Sequence, residues 1–183
     1  MSLNSLIAIQ RRNAMAALLL GVIAGVLAAF AERADALATG GNATPLGYIN
    51  TYTWILVSAA LFGLSGAIIT TEIQAIIGLI TIANPLSWLW PFINLFFALA
   101  VGLVALGFSR FRPQTKLSTK LVAMSSVCAV LDIPMVYTVI VVALGLPFVA
   151  YLAALPVYIV LQLVPSTFLS YIVVKAISRH NIL

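Results

Sequence analysis

The sequence predicts an all-α integral membrane protein with six transmembrane helices. Of its 183 residues, 63% are hydrophobic and 7% are charged, whereas a soluble domain is about 25% charged. The apolar residues form runs of roughly 20, the length that crosses a hydrocarbon core about 30 Å thick. We therefore expect a single six-helix transmembrane domain over residues 1–183, with no room for a separate soluble domain.

Breaks rich in glycine and proline separate the apolar runs and set the predicted helix boundaries. The least obvious break lies within residues 54–83, because one helix through that segment would be about 45 Å long, too long for the hydrocarbon core. A tight turn at 62–67 (FGLSGA) divides it in two. The predicted spans are 13–31, 46–62, 66–83, 91–108, 120–143 and 148–175.

The basic residues predict the orientation of the chain. They precede the first helix, fill the loop at 109–120 and follow the last helix. Six crossings put these groups on one side, which the positive-inside rule assigns to the cytoplasm, so we expect both termini there. Arg11 and Arg12 before an apolar run could also begin a signal peptide, but the run is long for one, and we interpret it as the first membrane helix.

Two carboxylates are predicted to lie inside the membrane. Glu72 and Asp132 occur in apolar stretches, whereas Glu32 and Asp35 are expected in a polar loop at 32–45. A carboxylate at bilayer depth is costly, and it usually faces the bundle interior or a cavity on a substrate or ion path. Glu72 could contact a ligand, carry a proton, pair with a basic residue or make a structural contact.

Aromatic and polar residues predict a ligand pocket in the outer halves of the helices. Aromatic faces beside carboxylates suit a flat, heteroaromatic or cationic ligand through stacking and cation–π attraction. The alternative is an interfacial aromatic belt combined with structural polar contacts. The candidate substrate-binding residues are Glu72, Asn84, Trp88, Trp90, Asn94, Asp132, Tyr137, Tyr158 and Gln162.

Small residues form a stripe along the first helix. Ala17, Gly21, Gly25 and Ala29 repeat every four residues, and such stripes let another helix approach closely. The stripe is compatible with packing against the protein's own helices and with docking to a separate membrane subunit.

The sequence lacks the usual motifs of catalysis. It contains no GxxxxGK phosphate loop, its one histidine is His180 near the C-terminus, and its one cysteine is Cys128. Serine and threonine residues are scattered without a base partner. We therefore expect no enzyme activity, no metal and no cofactor. Because the basic residues mark helix ends, we also expect no nucleic-acid partner.

Two stretches resemble a known transporter family. GAIITTEIQAIIGLITIANP (66–85) carries an acid and ends in Asn-Pro, and MSSVCAVLDIPMVY (124–137) carries a second acid. Both resemble the substrate-binding (S) components of energy-coupling factor (ECF) transporters, closest to the thiamine- and hydroxymethylpyrimidine-related branch. The resemblance implies a subunit that captures a vitamin or precursor, such as thiamine or its pyrimidine moiety, in the outer half of the bundle, with loop 32–45 as a lid.

The resemblance also implies partners and a location. A transmembrane coupling subunit would dock on the small-residue stripe, and two cytosolic ATPases would supply the driving force, in a prokaryotic cell membrane. Two other functions remain open from the residues alone. One is a stand-alone secondary transporter of a small polar solute, and the other is a structural or assembly subunit of a larger membrane complex.

Overall fold

A computed structural model describes residues 10–40, 44–81 and 87–179, and these ranges are helical with no strand. The all-helical prediction is therefore confirmed for the described chain. Five helical stretches within these ranges are long and apolar enough to cross a membrane. The helices are α1 (Arg11–Thr39), α2 (Pro45–Thr81), α3 (Trp90–Phe111), α4 (Leu117–Tyr137), α5 (Phe148–Leu161) and α6 (Thr167–Arg179).

Helix α1 continues well beyond residue 31, where the sequence predicts its end. It runs to Thr39 and stops at Gly40, whose φ of 64° gives the left-handed cap that favours glycine. The segment AERADALA is rich in good helix formers. Glu32 and Asp35 are thus buried helical residues, which corrects their placement in a polar loop. The predicted lid at 32–45 is helical as far as Thr39, and residues 41–43 lie outside the described ranges.

Helix α2 reverses direction in its middle. Gly63 has φ 68° and ψ −154°, a conformation open to glycine but not to other residues. Gln74 Nε2 donates to Thr51 Oγ1 at 2.7 Å, although an unbroken helix would hold these residues about 35 Å apart. The stretch is therefore two antiparallel arms, residues 45–62 and 64–81. The reversal falls inside the turn predicted at 62–67.

Helix α1 packs closely on both arms of α2. Asn50 Nδ2 on the first arm donates to the backbone oxygen of Ala24 at 3.1 Å. On the second arm, Thr70 Oγ1 donates to the oxygen of Ala17 at 3.0 Å. A β-carbon added at Gly21 would lie 2.8 Å from Thr70 O, so the backbones approach too closely for a larger residue.

The small-residue stripe is buried in this packing. Ala17, Gly21, Gly25 and Ala29 are all buried within the chain. Packing against the protein's own helices is the arrangement that the structure adopts. The assignment of these four residues as a subunit interface is corrected, since they offer no free surface to a partner.

Two π-helical turns in the C-terminal half of the chain follow or contain prolines. Pro134 lies in α4, which continues into the π-turn Thr138–Ala143. Pro165 lies within the π-turn Gln162–Ser166, which joins α5 to α6. Proline removes a backbone donor and disturbs the helical ladder, and π-turns absorb this change. The helices predicted at 120–143 and 148–175 are observed over 117–143 and 148–179.

The basic residues collect at one end of the bundle. The start of α1, the Gly63 reversal, the loop after α3 and the end of α6 all lie there. A groove lined by Gly63, Thr115 and Lys120 joins the reversal to that loop. Every lysine and arginine except Arg33 belongs to this basic end. The opposite end contains the end of α1, the start and the end of α2, and the π-turn that follows α4.

Substituting Gly25 with leucine should destabilise the protein. A β-carbon there would lie 2.7 Å from Ile77 Cβ, and overpacking of this kind costs about 1–3 kcal/mol. We expect a lower thermal unfolding midpoint in detergent micelles. Val22→Leu is the matched control, because Val22 is 45% exposed on the same helix. An unchanged midpoint for Gly25→Leu would contradict the close packing of α1 on the second arm.

Candidate functional site

A cavity of about 510 Å³ opens in the half of the bundle away from the basic end. This volume lies in the range of small-molecule sites, about 300–1,000 Å³. The end of α1, the start of the first arm, the end of the second arm and the start of α3 all contribute, together with the end of α4, its π-turn and the length of α5. The cavity therefore belongs to the whole bundle rather than to one helix pair.

Aromatic rings form much of the cavity wall. Tyr48 and Tyr52 are one turn apart on the first arm, with ring centroids 4.5 Å from each other. Tyr158 of α5 lies 4.7 Å from Tyr48, and Phe97 of α3 meets Tyr52 edge to face at 5.1 Å. Trp90 adds an indole at the start of α3. Such walls suit a flat ligand, because stacking needs only a planar face.

Asp132 is held in the wall by two tyrosines. Tyr52 donates its hydroxyl to Oδ1 at 2.8 Å, and Tyr48 donates its hydroxyl to Oδ2. Residues four apart share one helix face, so both phenols point from the first arm toward α4. Asp132 is 1% exposed. Each of its oxygens has a donor, as a buried carboxylate requires.

Two further acids, Glu32 and Asp35, lie at the end of α1. Asp35 accepts from the backbone N–H groups of Leu46 at 3.1 Å and Gly47 at 2.8 Å. These groups belong to the first turn of α2, where backbone donors lack intrahelical partners, so Asp35 caps that helix from a distance. Glu32, one turn earlier, lines the cavity and is 8% exposed. A β-carbon at Gly47 would lie 2.8 Å from Glu32 Cγ, so the glycine makes room for this side chain.

Four of the nine predicted substrate-binding residues line the cavity: Trp90, Asn94, Asp132 and Tyr158. Asn94 also donates from Nδ2 to the backbone oxygen of Thr71 at 3.3 Å, which joins α3 to the second arm. The four residues thus come from three helices, α3, α4 and α5, that meet at the cavity. Asn84 lies outside the described residues.

The other predicted residues lie away from the cavity. Trp88 and Tyr137 are 58% and 41% exposed, and Tyr137 packs on Phe148 and Tyr151. Gln162 is fully buried and donates to the backbone oxygen of Ser125 at 2.9 Å, so it joins α4 to the helix that follows. These three side chains therefore have surface or structural positions.

Glu72 also lies outside the cavity wall. It is one turn before Ile76, which is 46% exposed, on the outward face of the second arm. Gln74 turns to the opposite face and lines the cavity. Of the alternatives open for Glu72, direct contact with a ligand in this cavity does not match its position.

Glu32, Tyr48, Tyr52 and Phe97 are cavity residues that the sequence analysis does not single out. The signal for Glu32 is the helix-forming composition of residues 31–38, which keeps α1 helical and places the acid one turn beyond Ala28, a second cavity residue. The signal for Tyr48 and Tyr52 is their spacing of four. Phe97 carries no comparable signal, because it reads as one of many apolar residues in its run.

The cavity has the volume and the wall chemistry that are typical of small-molecule sites. Within residues 10–40, 44–81 and 87–179, no three His, Cys, Asp or Glu side chains are grouped so as to hold a metal ion. The walls combine aromatic faces, two acids and two amides. Cations and N–H donors are the groups that such walls attract.

Substituting Tyr52 with phenylalanine should destabilise the protein through Asp132. The change removes the donor to Oδ1, and a hydrogen bond with one charged partner contributes about 1.5–3 kcal/mol. In an Asp132→Asn background the loss should shrink, which gives a coupling energy of about 0.5–3 kcal/mol in a double-mutant cycle of thermal unfolding. Tyr137→Phe is the control. Equal losses from Tyr52→Phe in both backgrounds would contradict the contact.

No protein-family model matches this chain, and no curated protein or solved structure matches it either.

Proposed function

We propose that this protein captures a small vitamin-like solute as the substrate-binding membrane subunit of an ATP-driven importer of the ECF type. The observation that carries the proposal is the cavity of about 510 Å³ whose aromatic and acidic wall lies in the half of the bundle away from the basic residues. Thiamine or its pyrimidine moiety is the ligand class that the sequence resemblance implies. Both contain a flat aminopyrimidine ring that carries N–H donors.

The proposed topology has six crossings with both termini in the cytoplasm. The reversal at Gly63 supports counting the arms of α2 as separate spans, since each would be about 27 Å long. The basic end then faces the cytoplasm by the positive-inside rule. The cavity consequently opens toward the outside of a prokaryotic cell membrane, where an importer meets its substrate.

The driving force in this proposal comes from partners. The chain has no phosphate-binding loop of its own, and the resemblance implies a transmembrane coupling subunit and two cytosolic ATPases. Because the small-residue stripe of α1 is buried, the coupling subunit would contact another surface. The opposite face of α1 exposes large apolar side chains such as Leu19, at 64%, and the described residues leave it uncovered.

Two neighbouring tryptophans provide a direct test of the binding site. Trp90 lines the cavity, whereas Trp88 is 58% exposed and does not. In thermal-shift titrations of the purified chain with a vitamin panel, we expect Trp90→Ala to weaken binding about 5- to 30-fold, since aromatic contacts to a cation are worth about 1–2 kcal/mol. Trp88→Ala should bind like the wild type.

Three outcomes would contradict the proposal. No thermal shift with any vitamin, and no small molecule released in native mass spectrometry, would favour a structural or assembly subunit. Equal losses for both tryptophan variants would place binding elsewhere. Uptake into liposomes by the chain alone, without ATP or partners, would favour a secondary transporter.

A further inference from the structure

We propose that Glu32, rather than Asp132, recognises the positive charge of the ligand, together with a polar edge formed by Gln74 and Trp90. The ligand class is a planar molecule with a cationic group that carries N–H donors, such as an amidinium or a protonated amino-heterocycle. The inference rests on the proposed function, because it assigns roles within the same cavity.

The four acids of the chain differ in what their oxygens contact. Both oxygens of Asp35 accept from backbone N–H groups of α2. Both oxygens of Asp132 accept from tyrosine hydroxyls. Glu72 is not part of the cavity wall. Of the four, Glu32 alone combines a place in the wall with a buried oxygen, Oε2, that has no hydrogen-bond partner among the described residues.

Two further unpartnered polar atoms belong to the same wall. Gln74 Nε2 is engaged by Thr51, which fixes the orientation of the amide, while its Oε1 is buried without a partner. The indole Nε1 of Trp90 is likewise buried without a partner. Three residues of the cavity wall thus hold buried polar atoms without a partner, two of them acceptors (Glu32 Oε2 and Gln74 Oε1) and one a donor (Trp90 Nε1).

This pattern selects a chemical class of ligand. A buried polar group that lacks a partner is unfavourable, so a ligand that satisfies all three atoms gains most. Two acceptors, one of them anionic, call for N–H donors on a cation, and such charge-assisted hydrogen bonds are the stronger kind. The indole N–H calls for an acceptor elsewhere on the ligand. The phenol rings of Tyr48 and Tyr158 favour a planar body between these groups.

Asp132 is less suited to this task because its oxygens already accept from Tyr48 and Tyr52. A ligand that bonded to Asp132 would compete with phenols held by the first arm of α2. The same contacts give Asp132 a positioning role, since it keeps the two rings in place against α4. Of the two acids of the cavity, Glu32 therefore recognises the charge of the ligand, and Asp132 positions the aromatic wall.

The experiment uses benzamidine and benzamide as probes of the purified, full-length protein. The two molecules have the same planar shape, but only benzamidine is a cation. By titration at millimolar concentrations, followed by thermal shift and tryptophan fluorescence, we expect the wild type to prefer benzamidine by roughly tenfold or more. Glu32→Gln should abolish that preference while benzamide still binds. Asp132→Asn should weaken both probes alike, because it disturbs the cavity wall, and should leave their ratio unchanged. Glu72→Gln, outside the wall, should bind both probes like the wild type.

Several outcomes would overturn the inference. Retention of the preference in Glu32→Gln, or its loss in Asp132→Asn alone, would transfer charge recognition away from Glu32. Failure of both probes to bind the wild type would also overturn it, whereas the vitamin panel and the tryptophan pair decide the proposed function separately. Should Glu32→Gln fail to fold, Gln74→Glu serves as the second variant. It adds a carboxylate to the same edge and should increase the preference for benzamidine, and an unchanged preference counts against the inference.

Discussion

The backbone reversal at Gly63 determines where the other contacts of this bundle can form. It brings the start of α2 beside its end, so that Thr51 and Gln74 touch across 23 positions of sequence. Without it, the two arms would continue as one rod of 37 residues, and their cavity residues would lie at opposite ends of the molecule. The left-handed φ of Gly63 has little cost for glycine and would be strained for other residues. One residue without a side chain thus allows α1 to pack against both arms.

The bundle is filled in one half and open in the other. Toward the basic end, buried side chains such as Leu56, Val101 and Leu121 form a continuous core. Tyr52 and Phe97 belong to both this core and the cavity wall, so they form the boundary between the two halves. At the open end, hydrogen bonds join the helices beside a smaller apolar cluster of Val136, Ile140 and Tyr151. Asp35 ties α1 to the start of α2, and Asp132 ties the first arm to α4. These pairings link α1, the first arm and α4 around the cavity.

Hydropathy and helix breakers in the sequence predict the helices well, but they do not predict the site as well. Gly63, Gly145 and Pro147 mark turns because their backbone preferences are local. The end of α1 is wrong by eight residues because low hydropathy after residue 31 resembles a loop, although the residue types favour helix. Asp132 is recognisable as a buried acid from its apolar surroundings, whereas its phenol donors at positions 48 and 52 are far away in sequence. Pairings of that kind depend on how helices pack, and the spacing within one helix does not reveal them.

The same limit explains why the sequence analysis selects Glu72 as a candidate, whereas the structure places Glu32 in the cavity wall. Glu72 is surrounded by apolar residues, so hydropathy alone makes it the more conspicuous acid. The helix face is what places a residue in the cavity wall. Glu72 lies on the outward face of the second arm, whereas Gln74, two positions later, lines the cavity. Glu32 follows Phe30 and Ala31 in a segment that turns polar, yet its helix phase continues that of Ala28 and points into the bundle. Among the four acids, Glu32 is therefore the one that lines the cavity and has an oxygen without a donor among the described residues.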